Sequence, residues 1–276
     1  MTVGAVVDVD AVTALVESVA AEVVTPRFRA LRDGDVQAKG AAGDLVTVAD
    51  QEAEALLAAG LTRLLPGVPV VGEEDAAAHP EVLDALADAP LAWLVDPLDG
   101  TRGFVEGSPD HAVMVALVAR GEAVAGWIHQ PAHGLSYVAE RGSGARVNGA
   151  PLTRAAAPTA LADLRGGVAT RYLAPDQRAA VDDAGTGPGV ELNPGMWSGL
   201  WYPRVARGDA DFVLYWRTWP WDHAPGAVLV REVGGVSRRL DGTDYRSGVG
   251  PESGLLVAAD DATWHTVRDV LADAGF

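Results

Sequence analysis

The stretch WLVDPLDGTRGF, residues 93–104, sets two aspartates three positions apart directly behind an apolar run. Pro97 biases Asp96 toward an extended conformation, so a strand over residues 91–95 continues up to it. The chain then turns, and Asp99 reaches the same end of that strand as Asp96. Gly100 permits positive φ or close backbone approach, and the amides of Gly100 and Thr101 can face an anion. Two carboxylates about 4 Å apart repel by about 4 kcal/mol at an effective dielectric of about 20. Such a pair persists when a cation lies between them or when one stays protonated. A metal site is one reading of the stretch. A plain surface turn is the other, because Asp, Pro and Gly are also the common turn residues.

Two more acidic groups follow apolar runs. VVGEED brings Glu73, Glu74 and Asp75 out of a β-branched strand, and read alone these are a solvated charge run in a loop. Asp222, in TWPWDHAPGAVLVREVGG, suits a helix N-cap, a role compatible with a second one. Thr47 and Asp50 suit helix caps in the same way. The six histidines show no HExxH-like spacing. With no cysteine in the chain, disulfides, thiolate metal sites and cysteine nucleophiles are excluded.

These side chains need elements to hold them. DVDAVTALVESVAAEVVTPRFRAL has helical apolar spacing, with Asp8 or Asp10 at its start. DLVTVADQEAEALLAAGLTRLLPG reads as a short extended piece and a second helix ended by Pro66 and Gly67. A short helix is expected over residues 80–90, and short strands alternate with turns over residues 112–149. From about residue 160 helices and strands alternate again. The class is α+β in layers. A boundary in the Pro/Ala stretch divides an N-terminal subdomain, residues 1–155, with most of the acidic groups, from a C-terminal one, residues 156–276, with Asp222.

Apolar residues at 49% and charged residues at 21% describe an ordinary soluble domain pair or single large domain of 276 residues. A net charge of −17 argues against nucleic acid and anionic membrane surfaces as partners, since both need a basic face. No apolar run is long enough to span a bilayer, and the first residues lack a basic export signal, so the cytoplasm is the default compartment. Lys39 is the only lysine.

Taken together and in order, KGAAGDLVTVAD, GEED, WLVDPLDGTRGF and WDHAPGAVLVREVGG resemble the inositol monophosphatase family of magnesium-dependent, lithium-sensitive phosphatases. The turn GSGARVNG is similar to that family's glycine-rich hairpin. The resemblance implies a layered αβαβα sandwich, a small phosphorylated metabolite as substrate and a homodimer. It implies that Glu73, Asp96 and the Leu98 carbonyl hold one Mg2+. Asp96, Asp99 and Asp222 then hold a second, and Glu73 shares in a loosely held third. By the same resemblance Gly100 and Thr101 offer amides to the phosphate. Thr101 and Glu74 orient the attacking water as catalytic groups, with Glu73 beside them. Lys39, Thr47 and Asp50 form an outer shell. Magnesium prefers oxygen ligands and keeps waters, so sparse carboxylates suit it, and bound cations let an acidic protein hold an anion.

The alcohol side departs from the family pattern. Arg102-Gly103-Phe104 follows the threonine, as in histidinol-phosphate phosphatases of the same superfamily. WSGLW, with Trp197 and Ser198, replaces a stretch of small residues, and Tyr215 stands where a glutamate is usual. The expectation is a broad phosphomonoesterase that accepts inositol 1-phosphate, with Arg102 touching a second anionic group. Of Trp197, Trp201, Tyr202, Trp216, Trp219 and Trp221, at least half are expected in the core. Two rivals remain open. AVVDVDAV fits an aspartyl-phosphate enzyme with Asp8 as nucleophile, and a non-catalytic cation-binding homologue would keep the same ligands.

Overall fold

The computed structural model describes residues 7–39, 44–83, 86, 89–183, 189–193, 195–248, 252–273 and 275–276. The Gly-Ala stretch 40–43 and part of the helix expected over 80–90 lie outside them. The chain opens with α1 (Val9–Val19), which Asp8 caps by accepting from the amides of Asp10 and Ala11. A π-helical turn, Ala20–Val24, and a last turn, Thr25–Arg27, extend it. A two-stranded ribbon follows, β1 (Val36–Lys39) against β2 (Asp44–Thr47), with Lys39 opposite Asp44. Then come α2 (Val48–Leu64), β3 (Val70–Gly72), α3 (Glu73–Ala78), β4 (Ala92–Asp99) and α4 (Thr101–Val105).

The antiparallel run of β5 (Ala112–Ala119), β6 (Glu122–Gln130), β7 (Leu135–Glu140), β8 (Gly144–Val147) and β9 (Ala150–Leu152) completes a seven-stranded sheet in the order β3 to β9. Next are β10 (Gly166–Ala169), α5 (Pro175–Asp183), β11 (Val190–Asn193), α6 (Ser198–Arg207), β12 (Phe212–Arg217), α7 (Pro220–Glu232), β13 (Val236–Arg239), β14 (Glu252–Ala258) and α8 (Asp261–Asp273). Their strands form a second sheet, ordered β11-β10-β12-β14-β13.

Side-chain alternation along the strands explains the stacking. On β4, Trp93 and Val95 join the cluster under α1 and α2, while Ala92 and Leu94 join the cluster beneath α6 and α7. On β12, Val213 and Tyr215 face those same helices from the other side, and Phe212 and Leu214 face α5 and α8. The layers therefore run helices, sheet, helices, sheet, helices, an α+β sandwich of the expected αβαβα kind.

The middle helices pack closely because α7 carries Gly226, where a Cβ would overlap the Tyr202 ring of α6. Tyr202 is fully buried and cannot swing into open space. Gly226→Ala is expected to destabilise the fold by about 3 kcal/mol, at the upper end for an overpacked core, read as a lower urea midpoint at unchanged slope.

Three expectations need correction. The strand expected over residues 91–95 runs on through Pro97 to Asp99, with a register irregularity between Asp96 and Asp99. The turn expected between the two aspartates comes only after Asp99, at Gly100. Glu73, Glu74 and Asp75 form the first turn of α3 rather than a loop, because acidic side chains are favourable at a helix N-terminus. Asp222 is not the N-cap of α7. Trp219 takes that place in an extended conformation, Pro220 starts the helix, and Asp222 lies in its first turn.

Candidate active site

Alternation along β4 continues past the core. Asp96 follows Ala92 and Leu94 on the face toward the middle helices, where α7 begins. The Pro220 start aims the first turn of α7 so that Asp222 meets Asp96. From the other side, β3 pairs in parallel with β4, Gly72 opposite Val95, which sets Glu73 next to Asp96. One carboxylate oxygen each from Glu73, Asp96 and Asp222 lies within 4.8 Å of the others. Asp99 stands beside this trio on the same cleft; its Oδ1 accepts from Ser198 Oγ at 3.0 Å and its Oδ2 from the Gly199 amide at 2.8 Å. The Leu98 amide donates to Asp96 Oδ1 at 3.0 Å.

Gathering so many acids has an electrostatic cost. Burial, with Glu73, Asp99 and Asp222 nearby, pushes Asp96 well above the usual carboxylate range. Burial and Glu73 do the same to Asp222, and burial brings Asp99 to about 6 despite its donors at Ser198 and Gly199. A hard divalent cation relieves this repulsion, and a set of carboxylate oxygens is the donor chemistry such a cation takes. The residues fit magnesium.

Next to the acids lies a second network. Thr47 caps α2 and Asp50 closes its capping box; Asp50 Oδ2 accepts from the Thr47 amide at 2.8 Å. The other oxygen, Oδ1, lies 3.0 Å from Thr101 Oγ1, which is also 2.9 Å from the Leu98 carbonyl. Burial raises Asp50 to about 7. Lys39 Nζ reaches across from β1 to Glu73 at 3.1 Å and Glu74 at 2.9 Å. Gly100, at φ 85°, is the conformation only glycine takes easily, and a Cβ there would press on the Asp110 carbonyl and the Trp197 ring.

Glu54 has no counterpart among the residues expected from the sequence. Its carboxylate accepts from the amides of Glu74 and Asp75, both at 2.8 Å, and so fixes the start of α3 and with it Glu73 and Glu74. Burial raises it to about 7. An acidic residue on an ordinary helical pattern gives no local signal for this contact.

The acids open into a cleft between the two sheets' strand ends. Arg102, Trp197, Ser198 and Tyr215 line it as expected, and Asp44, Arg171, Tyr172 and Arg217 line it without having been foreseen. Within the aromatic set Trp197 and Trp216 reach the cleft, whereas Trp201, Tyr202 and Trp221 belong to the core and Trp219 packs against it. The Tyr215 hydroxyl is buried without a hydrogen-bond partner among the described residues. Behind it His223, lowered to about 3 by burial, stays neutral between the Tyr202 hydroxyl at 3.0 Å and the Arg217 carbonyl at 3.2 Å. Asp8 is engaged as the α1 cap and is not among the residues lining the cleft, which leaves the aspartyl-phosphate reading without a site.

The raised carboxyls set a pH dependence. A buried acid with a raised folded pKa binds its proton more tightly folded than unfolded, so it favours folding at low pH and ceases to as pH rises through the folded pKa. For Asp50, Glu54 and Asp99 that window lies between the ordinary carboxylate range and about 7, about 7 and about 6 respectively. In chelator, the melting temperature is expected to fall between about pH 5 and about pH 8. A flat or rising profile over that interval would contradict it.

Residues 7–272 match the inositol monophosphatase family. An inositol-1-monophosphatase of Mesorhizobium japonicum is 34% identical over 225 residues, which cover 78% of this chain and 79% of that protein. A histidinol-phosphatase of Chlorobaculum parvum is 35% identical over 191 residues, 69% of this chain and 70% of that one. In fold, the Thermotoga maritima IMPase superposes with a TM-score of 0.77 at 24% identity, over 96% of this chain and 98% of that structure.

Proposed function

This chain belongs to the inositol monophosphatase family, and from that premise we propose a magnesium-dependent phosphomonoester hydrolase that acts on a small phosphorylated metabolite. The observation that carries the reading is the meeting of Glu73, Asp96 and Asp222 within 4.8 Å, beside a threonine hydroxyl already paired with a carboxylate. Glu73, Asp96, Asp99, Asp222 and the Leu98 carbonyl would hold the metal. When bound, magnesium acidifies water and offsets charge on the phosphate and the leaving oxygen.

The remaining work falls to the chain's own groups. Thr101 can accept a proton from a water beside it while its own proton passes to Asp50. A pKa of about 7 suits Asp50 to act as that base near neutral pH. The water oxygen then bonds to phosphorus, the ester P–O bond breaks, and the alcohol leaves after taking a proton from solvent. Glu74, tied to Lys39, orients the water from the other side. The amides of Gly100 and Thr101 hold phosphate oxygens.

A Tyr215 ring at the alcohol side offers no charged acceptor for a polyol. We therefore read the enzyme as broad, accepting inositol 1-phosphate among other esters. Histidinol phosphate is the second reading, favoured by Arg102 behind Thr101 and by the histidinol-phosphatase relative. A magnesium-dependent phosphate-release panel over inositol 1-phosphate, histidinol phosphate, a sugar bisphosphate and a nucleoside bisphosphate tests both. A preference of about 10⁴-fold for inositol 1-phosphate over simple esters would overturn the broad reading, because that scale needs a fully matched polar pocket. Release from none of them would overturn the hydrolase.

A further inference from the structure

One wall of the cleft carries positive charge beside the metal-holding acids. Strands β10 and β12 run parallel and pair directly, so the chain just beyond their C-terminal ends lies side by side. Arg171 stands two residues past β10 and Arg217 is the last residue of β12. Both guanidiniums hold Asp44: Arg171 Nη2 donates to Oδ1 at 2.8 Å and Arg217 Nη1 to Oδ2 at 3.2 Å. The Tyr172 hydroxyl is 3.4 Å from Oδ1 as well. Tyr172 also presents its ring to both cations, 3.9 Å from Arg217 and 5.2 Å from Arg171.

One arginine would satisfy Asp44. Two of them converge on this single carboxylate, in a chain whose total charge is −17. Their side chains remain 23% and 29% exposed, and both line the cleft. Arg102 adds a third cation to the same lining. Guanidinium forks match planar and tetrahedral oxyanions with paired donors, and stacking on an aromatic ring fixes their plane in advance. The Asp44 carboxylate shows what this clamp takes.

We propose that Arg171 and Arg217 form a receptor for a second oxyanion, phosphate or carboxylate, carried by the substrate, and that this group exchanges with Asp44. The inference rests on the phosphomonoesterase reading above. The ester phosphate itself is held at the β4 end of the cleft, by Gly100, Thr101 and the metal-holding acids. The arginines come from the second sheet, so they read the far end of the molecule. Substrates with one ester phosphate and one further anion are thus preferred over those with a neutral tail.

Matched esters test this: glycerol phosphate with its neutral tail, phosphoglycerate for the carboxylate arm and glycerol bisphosphate for the phosphate arm. With magnesium present, kcat/KM for at least one dianionic-tail partner should exceed that for glycerol phosphate by about tenfold to a hundredfold, the scale of charge-assisted contacts. Whichever arm shows it names the oxyanion. The advantage should fall to near one in R171Q/R217Q, and by about threefold or more in R171Q alone, which decides the matter if the double variant does not fold. Added salt should weaken the advantage in the wild type. D44N, which removes the competing carboxylate, should raise it. A wild-type ratio near one on both arms, a ratio unmoved by the arginine variants, or one that falls in D44N would overturn the proposal. Absence of magnesium-dependent release from glycerol phosphate and its partners alike would instead sink the hydrolase reading beneath it.

Discussion

Asp96→Asn is expected to lower turnover by about a thousandfold or more while the protein stays folded. Asp96 is the central member of the acid group, buried on β4 between Glu73 and Asp222. The asparagine oxygen can still accept from the Leu98 amide, so the local hydrogen bond survives. What disappears is a negative charge that two metal positions would share. The same change removes the repulsion that Glu73, Asp99 and Asp222 exert on Asp96, which adds to burial in raising it. In chelator the variant should therefore melt at or above the wild-type temperature. Loss of activity with a lowered melting temperature would instead point to damage in the core. Retention of more than about a tenth of wild-type turnover would remove Asp96 from the shared position.

Metal removal should have the largest effect of all. Dialysis against chelator is expected to abolish phosphate release, and magnesium should restore it along a saturable curve. Lithium should inhibit by entering the place formed by Asp96, Asp99 and Asp222, where a single positive charge stabilises a leaving oxygen less well than two. Magnesium should also stabilise the fold, by about 2.7 kcal/mol when present at about a hundredfold its dissociation constant. Full activity in chelator would refute the metal reading outright. A saturable melting shift without turnover would favour the non-catalytic homologue.

Much of this site could be read from local sequence because its key residues depend on local backbone rules. Pro97 and Gly100 each directly follow one of the aspartates, and Thr47 with Asp50 writes a capping box four residues long. Asp8 announces the start of α1 in the same manner. Other features had no local signature. Glu73 to Asp75 look like any charged loop until β3 is paired with β4, which is a long-range event. Trp219 is a poor N-cap by type, so Asp222 appeared the better candidate, and Pro220 decided the register. Glu54 acts through backbone amides twenty residues away. The Asp44 clamp joins β2 to the ends of β10 and β12, a meeting that only the packing of two sheets brings about.

The two oxygens of Asp50 answer to different masters. Oδ2 holds the first turn of α2, and Oδ1 faces the Thr101 hydroxyl. For protein engineering this closes position 50 to the usual trade between robustness and rate. Replacing the buried acid by an apolar residue removes an ionisable group from the interior but also its half of the capping box and the Thr101 acceptor in one stroke. Improvement of this enzyme has to be sought elsewhere, at positions such as the exposed Leu56 on α2, where a substitution touches the solvent and not the chemistry.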